Sequence, residues 1–266
     1  MAFTLFDAVL TAHERIGTVS FGISSAGTTL ALNDRTESSA HADDQFNGGT
    51  LFFIESTNTI IQGQFRRVSD YIASSGQFVF TTVLTSAVTA GTKYGIATPE
   101  FNVSLMERLT NAALRNVGPL VYTDRTMRSS GNQKIYTMST LAGRGKPLRV
   151  DIQGRTGSSA DDPQWVELHG WYVQPSTVSA GQSMIFPRDL PSGRDIRILY
   201  EADHQTVSDS THRIDDRIHT ELLVAVLVER CYEYRNSRAR GAQEFDIQRW
   251  SDAKRVSAEA KIRWPI

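Results

Sequence analysis

The densest concentration of groups able to do chemistry lies in one stretch: Glu201, Asp203, His204, Asp209, His212, Asp215, Asp216 and His219. Imidazoles and carboxylates together can hold a divalent metal or move protons. The spacing argues against a shared site. His212 and His219 are seven residues apart, which in a helix separates them by two turns, about 10 Å along the axis. A polar loop whose aspartates cap the next helix, at Asp215 or Asp216, accounts for the composition better. A metal enzyme built on His204, His212 and Asp216 is therefore the weakest of three readings, and no metal or cofactor is expected.

Other catalytic patterns fail on spacing. Gly143-Arg144-Gly145-Lys146-Pro147 has the glycines and lysine of a phosphate loop, but at the wrong intervals and with proline where a hydroxyl belongs. It reads as a turn between strands. Gly22-Ile23-Ser24-Ser25-Ala26 approaches a nucleophile elbow and ends in alanine. Ala40-His41-Ala42-Asp43-Asp44 reads as a solvated loop, because adjacent side chains rarely converge. The one cysteine, Cys231, allows no intrachain disulfide. It falls in an apolar helical run and reads as a buried small hydrophobe. No catalytic residue is assigned, and a non-enzyme is expected.

Two groups suit recognition. On a period-two strand from Trp165 to Val173, residues Trp165, Glu167, His169 and Trp171 share one face. An aromatic face with polar neighbours suits glycan stacking or a subunit contact. The second group closes the chain: Arg249, Trp250, Arg263, Trp264, Pro265 and Ile266. Tryptophan and arginine are favoured anchors at interfaces. Charge supports the same end. Residues 1–100 carry five basic and nine acidic side chains, a net of −4, against −1 for the whole chain. The remainder is therefore +3, and the arginines concentrate late. A near-neutral total excludes a whole-molecule field for nucleic acid or an anionic membrane. The longest aliphatic run, Leu222 to Val228, is far too short to span a bilayer, and Met1 to Glu14 lacks the pattern of a targeting segment.

The elements that must position these groups follow from periodicity. A short amphipathic helix begins after Thr4 and stops at Gly17. Period-two segments run from about 18 to 98, with an exposed loop at Asn33 to Gln45. A second helix spans about Asn102 to Val117. Six strand candidates follow between Leu120 and Tyr200. A helix from Asp215 or Asp216 to about Ser237 is apolar all round at Leu222 to Val228, so it must be covered on several faces, by its own domain or by neighbouring subunits. A last helix covers about Glu244 to Arg263. Helices and strands fall in blocks, which indicates an α+β fold. The expected organisation is a helical domain of residues 1–118 and 201–266, with a small β unit at about 18–98. A β-sandwich or jelly-roll-like domain is set in at 119–200.

Gly49-Thr50-Leu51-Phe52-Phe53-Ile54, Arg66-Arg67-Val68-Ser69-Asp70-Tyr71, Ser75-Gly76-Gln77-Phe78-Val79-Phe80, Ala90-Gly91-Thr92-Lys93-Tyr94-Gly95-Ile96 and Asn111-Ala112-Ala113-Leu114 form a further pattern. Over about 49–117 the chain resembles structural proteins of tailed-bacteriophage virions. There a small β unit ends in such a strand and passes into such a helix. Residues 215–266 resemble, more loosely, the helices of head–tail connector (adaptor) proteins. The resemblance implies a non-enzymatic neck component that forms a homo-oligomeric ring, about twelvefold. Its implied partners are its own copies, the portal protein and tail or neck proteins. DNA would pass only as cargo, and no membrane is involved. The implied location is the virion, after assembly in the bacterial host cytoplasm. A tail- or fibre-associated carbohydrate-binding module using Trp165 and Trp171 is the alternative.

Overall fold

The structure, a computed structural model, describes residues 2–36, 41–139, 145–154, 164–175, 182–238 and 244–264, with side chains of the last segment described from residue 247. The chain divides into two compact units, Met1–Val117 with Gln205–Ile266, and Gly118–His204. Helices and antiparallel sheets are segregated along the chain, so the class is α+β.

The first unit opens with α1, Leu5–Ile16. A capping box starts it: the Asp7 N–H donates to the Thr4 hydroxyl, and the Asp7 carboxylate accepts from the Thr4 N–H at 2.9 Å. Gly17 ends it with φ +69°, where a side chain would be strained. Seven strands follow: β1 (Val19–Ile23), β2 (Ala26–Gly27), β3 (Ala31–Asn33), β4 (Thr50–Glu55), β5 (Phe65–Ile72), β6 (Gln77–Phe80) and β7 (Lys93–Ala97). They form one antiparallel sheet in the order β1-β7-β4-β5-β6-β3-β2. Its core is aromatic. Phe46, Phe53, Tyr71, Phe78, Phe80 and Tyr94 are all buried in one cluster, in edge and tilted ring contacts about 5–6 Å apart.

The helical half of this unit is α2 (Val103–Val117), α3 (Thr220–Arg238) and α4 (Glu244–Arg263). The Asn102 side chain caps α2 by accepting from the Leu105 N–H at 3.1 Å. Helix α3 packs against α1, α2 and α4. Its all-round apolar run is therefore covered by its own chain rather than left for neighbouring subunits.

Helix α3 begins later than the aspartates suggested. Asp215 instead accepts from the Arg217 N–H at 3.0 Å and pairs with the Arg217 guanidinium, closing a local turn. The helix is capped by His219, whose Nδ1 accepts from the Glu221 N–H at 3.3 Å. The loop from Asn33 also departs from expectation at its start. Asp34 is fully buried and accepts from the Tyr94 hydroxyl at 2.8 Å.

The second unit contains β8 (Leu120–Arg128), β9 (Ile135–Thr137), β10 (Lys146–Gln153), β11 (Trp165–Glu167), β12 (Tyr172–Pro175), β13 (Gln182–Ile185) and β14 (Asp195–Ala202). Two antiparallel sheets result, β11-β10-β14-β8 and β12-β13-β9. Both contribute to one core, with Val150, Ile152, Ile196 and Ile198 from the first and Tyr136 and Met184 from the second. Among the described residues this unit is thus a four-stranded and a three-stranded antiparallel sheet sharing one core. The candidate turns at Gly143-Arg144, Ser158-Ser159 and Ala180-Gly181, and the helix break at Gly241, lie outside the described residues.

Candidate functional site

The polar stretch 201–219 does not converge on a site. His212 Nδ1 accepts from the backbone N–H groups of Ser208 and Asp209 at 3.0 and 3.3 Å, so it organises its own loop. His219 is spent on the α3 cap. Among the described residues no group of three or more His, Cys, Asp or Glu side chains could hold a metal ion. Cys231 is buried, with its sulfur 3.8 Å from that of Met106, and burial pushes its thiol up to about 12. It packs as a hydrophobe and carries no nucleophilic thiolate near neutrality.

One polar pocket escapes any reading of local sequence, because its members are drawn together from residues 66, 107 and 209. A recess of about 410 Å³ is lined by Arg66, Glu107, Asp209 and three serines. Burial, reinforced by the charge of Asp209, pushes the Glu107 carboxyl up. Hydrogen bonds from the Thr211 N–H and hydroxyl hold Asp209 down. Burial lowers Arg66. Two carboxyls split in this way are a minimum for acid–base work, but the described residues supply no base-activated nucleophile beside them.

Trp165 and Trp171 do not share a face. The expected strand breaks at 168–171, and its halves enter different sheets. Trp165 lies on edge strand β11 of the four-stranded sheet, while Trp171 precedes β12 of the three-stranded sheet. The break falls at Gly170, whose φ is +76°. Trp165 lies under arginines, with the guanidinium carbons of Arg197 and Arg125 at 4.6 and 5.6 Å from the ring. Trp171 packs against the core of its unit. The proposed stacking platform is thus replaced by a cation–π cluster on one sheet and a packing residue beside the other.

The closing residues divide three ways. Pro265 and Ile266 lie outside the described residues. Trp264 is used within the chain: its ring stacks on His219 at 4.0 Å with an 8° interplanar angle, and the Arg263 guanidinium lies 5.4 Å from it. Trp250 is half-buried beneath the Lys254 ammonium, at 4.6 Å. These tryptophans belong to the stripe 250, 253, 257, 260 and 264, the i, i+3, i+4 face by which α4 meets α3. Ala253, Ser257 and Ala260 are buried in it. Arg249 is exposed, and so are Ile247, Val256 and Ile262, the last at 81%.

The exposed apolar surface with the most regular backbone behind it is β1, an edge strand. Phe21 and Ile23 are 56% and 58% exposed and share one face. The Ser24 N–H donates to the Thr92 carbonyl at 2.9 Å and the Thr98 N–H to the Thr18 carbonyl at 3.1 Å. In this register the backbone groups of Ser20 and Gly22 face β7, and those of Val19, Phe21 and Ile23 face outward. The strand has no charge, no proline and no bulge, the devices that ordinarily protect an edge. A groove of about 350 Å³ beside it is lined by Leu10, Phe21, Ile23 and Ile54, with Glu14 and Lys93 among its walls. No helix in the described residues is long and apolar enough to cross a membrane. No protein-family model matches the chain, and no curated protein matches it in sequence.

Proposed function

We propose that this chain is a non-enzymatic structural protein of a tailed-bacteriophage virion, assembling with its own copies into a ring at the head–tail junction beneath the portal. The observation that carries the self-assembly is the open β1 edge. Its outward backbone groups have no strand partner among the described residues, and it presents two large apolar side chains on a strand that itself carries no charge or proline. The resemblance over residues 49–117 supplies the viral context, with assembly in the host cytoplasm before incorporation into the virion. Exposed apolar residues on α4 add a second contact surface.

The test is light scattering and negative-stain microscopy of the purified protein, with and without portal protein. Closed rings that revert to monomers in Phe21→Lys or Ile23→Lys are the expected result, because a lysine there charges the edge. A monodisperse monomer at high concentration, with no affinity for portal, would refute the reading.

A further inference from the structure

An open cleft of the first unit, about 740 Å³, lies where the start of α2 meets the last turn of α3. Three arginines line it, in different states. Arg235 grips Glu100 through two bonds, Nε to Oε1 at 2.6 Å and a terminal nitrogen to Oε2 at 2.7 Å. Its guanidinium also lies 5.2 Å from the Phe101 ring, so it is held in place. Arg238 rests 5.1 Å from the Tyr234 ring and is exposed. Arg108 is exposed one helical turn from Ser104. Neither Arg108 nor Arg238 has a carboxylate partner among the described residues. The cleft thus holds one arginine bound to a carboxylate and two without one among the described residues, and Leu105 and Pro99 also line it.

We propose that this cleft docks an acidic peptide segment of a partner protein. Carboxylates of that segment take Arg108 and Arg238 as Glu100 takes Arg235, in the planar two-bond geometry that guanidinium favours. A peptide fits the cleft better than a nucleic acid for two reasons. A phosphate backbone is held by many cations, commonly about six to ten, whereas here three are offset by a carboxylate in the same wall. The apolar side chains suit the non-acidic residues of a peptide. The proposal is independent of ring formation, since it concerns a site complete within one copy.

The test is fluorescence anisotropy of a short labelled peptide of alternating glutamate and alanine, titrated with the full chain at low salt. Binding is expected to weaken about tenfold or more in Arg108→Ala/Arg238→Ala. Glu100→Gln should strengthen it by releasing Arg235, and Arg115→Ala, an exposed arginine at the other end of α2, should leave it unchanged. Arg108 and Arg238 are exposed, so a thermal melt matching the wild type establishes that the double variant is folded. The proposal is overturned if the peptide does not bind, if the double variant binds it as well as the wild type, or if Arg115→Ala weakens it equally. It is also overturned if a short duplex oligonucleotide binds more tightly than the peptide and loses that binding in the double variant.

Discussion

His13 is fully buried on α1, in edge contact with Phe52 and near Phe101, and its Nδ1 is 2.7 Å from the Thr18 hydroxyl. Desolvation lowers its pKa from 6.5 to about 4, and the Phe101 carbonyl offsets only part of that. The unfolded chain therefore binds this proton more readily than the folded one. The full contribution is present above pH 6.5 and is lost as pH falls from there toward 4, by up to about 3 kcal/mol. Urea melts at pH 7.5 and 4.5 should show that loss, and His13→Phe should flatten it; an unchanged slope in the variant would remove His13 as the cause. Gly22 offers a second test. A Cβ there would lie 2.5 Å from the Tyr94 hydroxyl oxygen and 2.8 Å from an Asp34 carboxylate oxygen, and both of those side chains are buried. Gly22→Ala should cost about 1–3 kcal/mol in chemical denaturation, and a neutral result would mean the strand can shift outward. The sequence offered no sign of either site. The burial of Asp34 and His13 depends on partners 60 and 88 residues away.

Among the elements, helices were the most legible. Thr4, Gly17 and the apolar spacing fix α1 locally, and the limits of α4 agree with its periodicity. The start of α3 was misplaced because a capping aspartate and an aspartate closing a turn with Arg217 have the same local signature. The strand expected over 165–173 failed for a related reason: alternation continues across Leu168 to Gly170 although the chain is changing sheets there. Helix α4 invites its own measurement. It meets α3 through a stripe whose middle is alanine and serine, which contribute little apolar area, so the tryptophans at its two ends matter, and Trp264 stacked on His219 clasps the C-terminal end. Trp264→Ala should raise hydrogen exchange across 250–264 while leaving α1 and α2 protected, and should lower the unfolding free energy by about 1–2 kcal/mol. Unaltered exchange in that segment would show that the small-residue stripe holds the helix without the clasp.

At the scale of the molecule, the α+β class was legible from the blockwise order of helical and strand-like segments. The polar pocket of Arg66, Glu107 and Asp209 was not, because no local pattern ties distant residues together. The two units differ in what they need. Residues 118–204 own a core built from both of their sheets, so that fragment should melt cooperatively in circular dichroism when made alone. A fragment of residues 1–117 lacks α3 and should not; a sharp melt from it would show that the sheet, α1 and α2 suffice.

That difference bears on how the protein is made. Val117 and Thr220 are separated by about a hundred residues, and α3 is the element against which α1 and α2 pack. At synthesis rates of about 5–20 residues per second, the apolar face of α2 waits roughly 5–20 seconds for α3 to begin, and that of α1 about twice as long. The inserted unit, finished first, closes its own core in that interval. The first domain to begin is thus the last to be completed, and the nascent chain passes through a stage in which every strand of both units has been made while α1 and α2 still lack the helix they pack against.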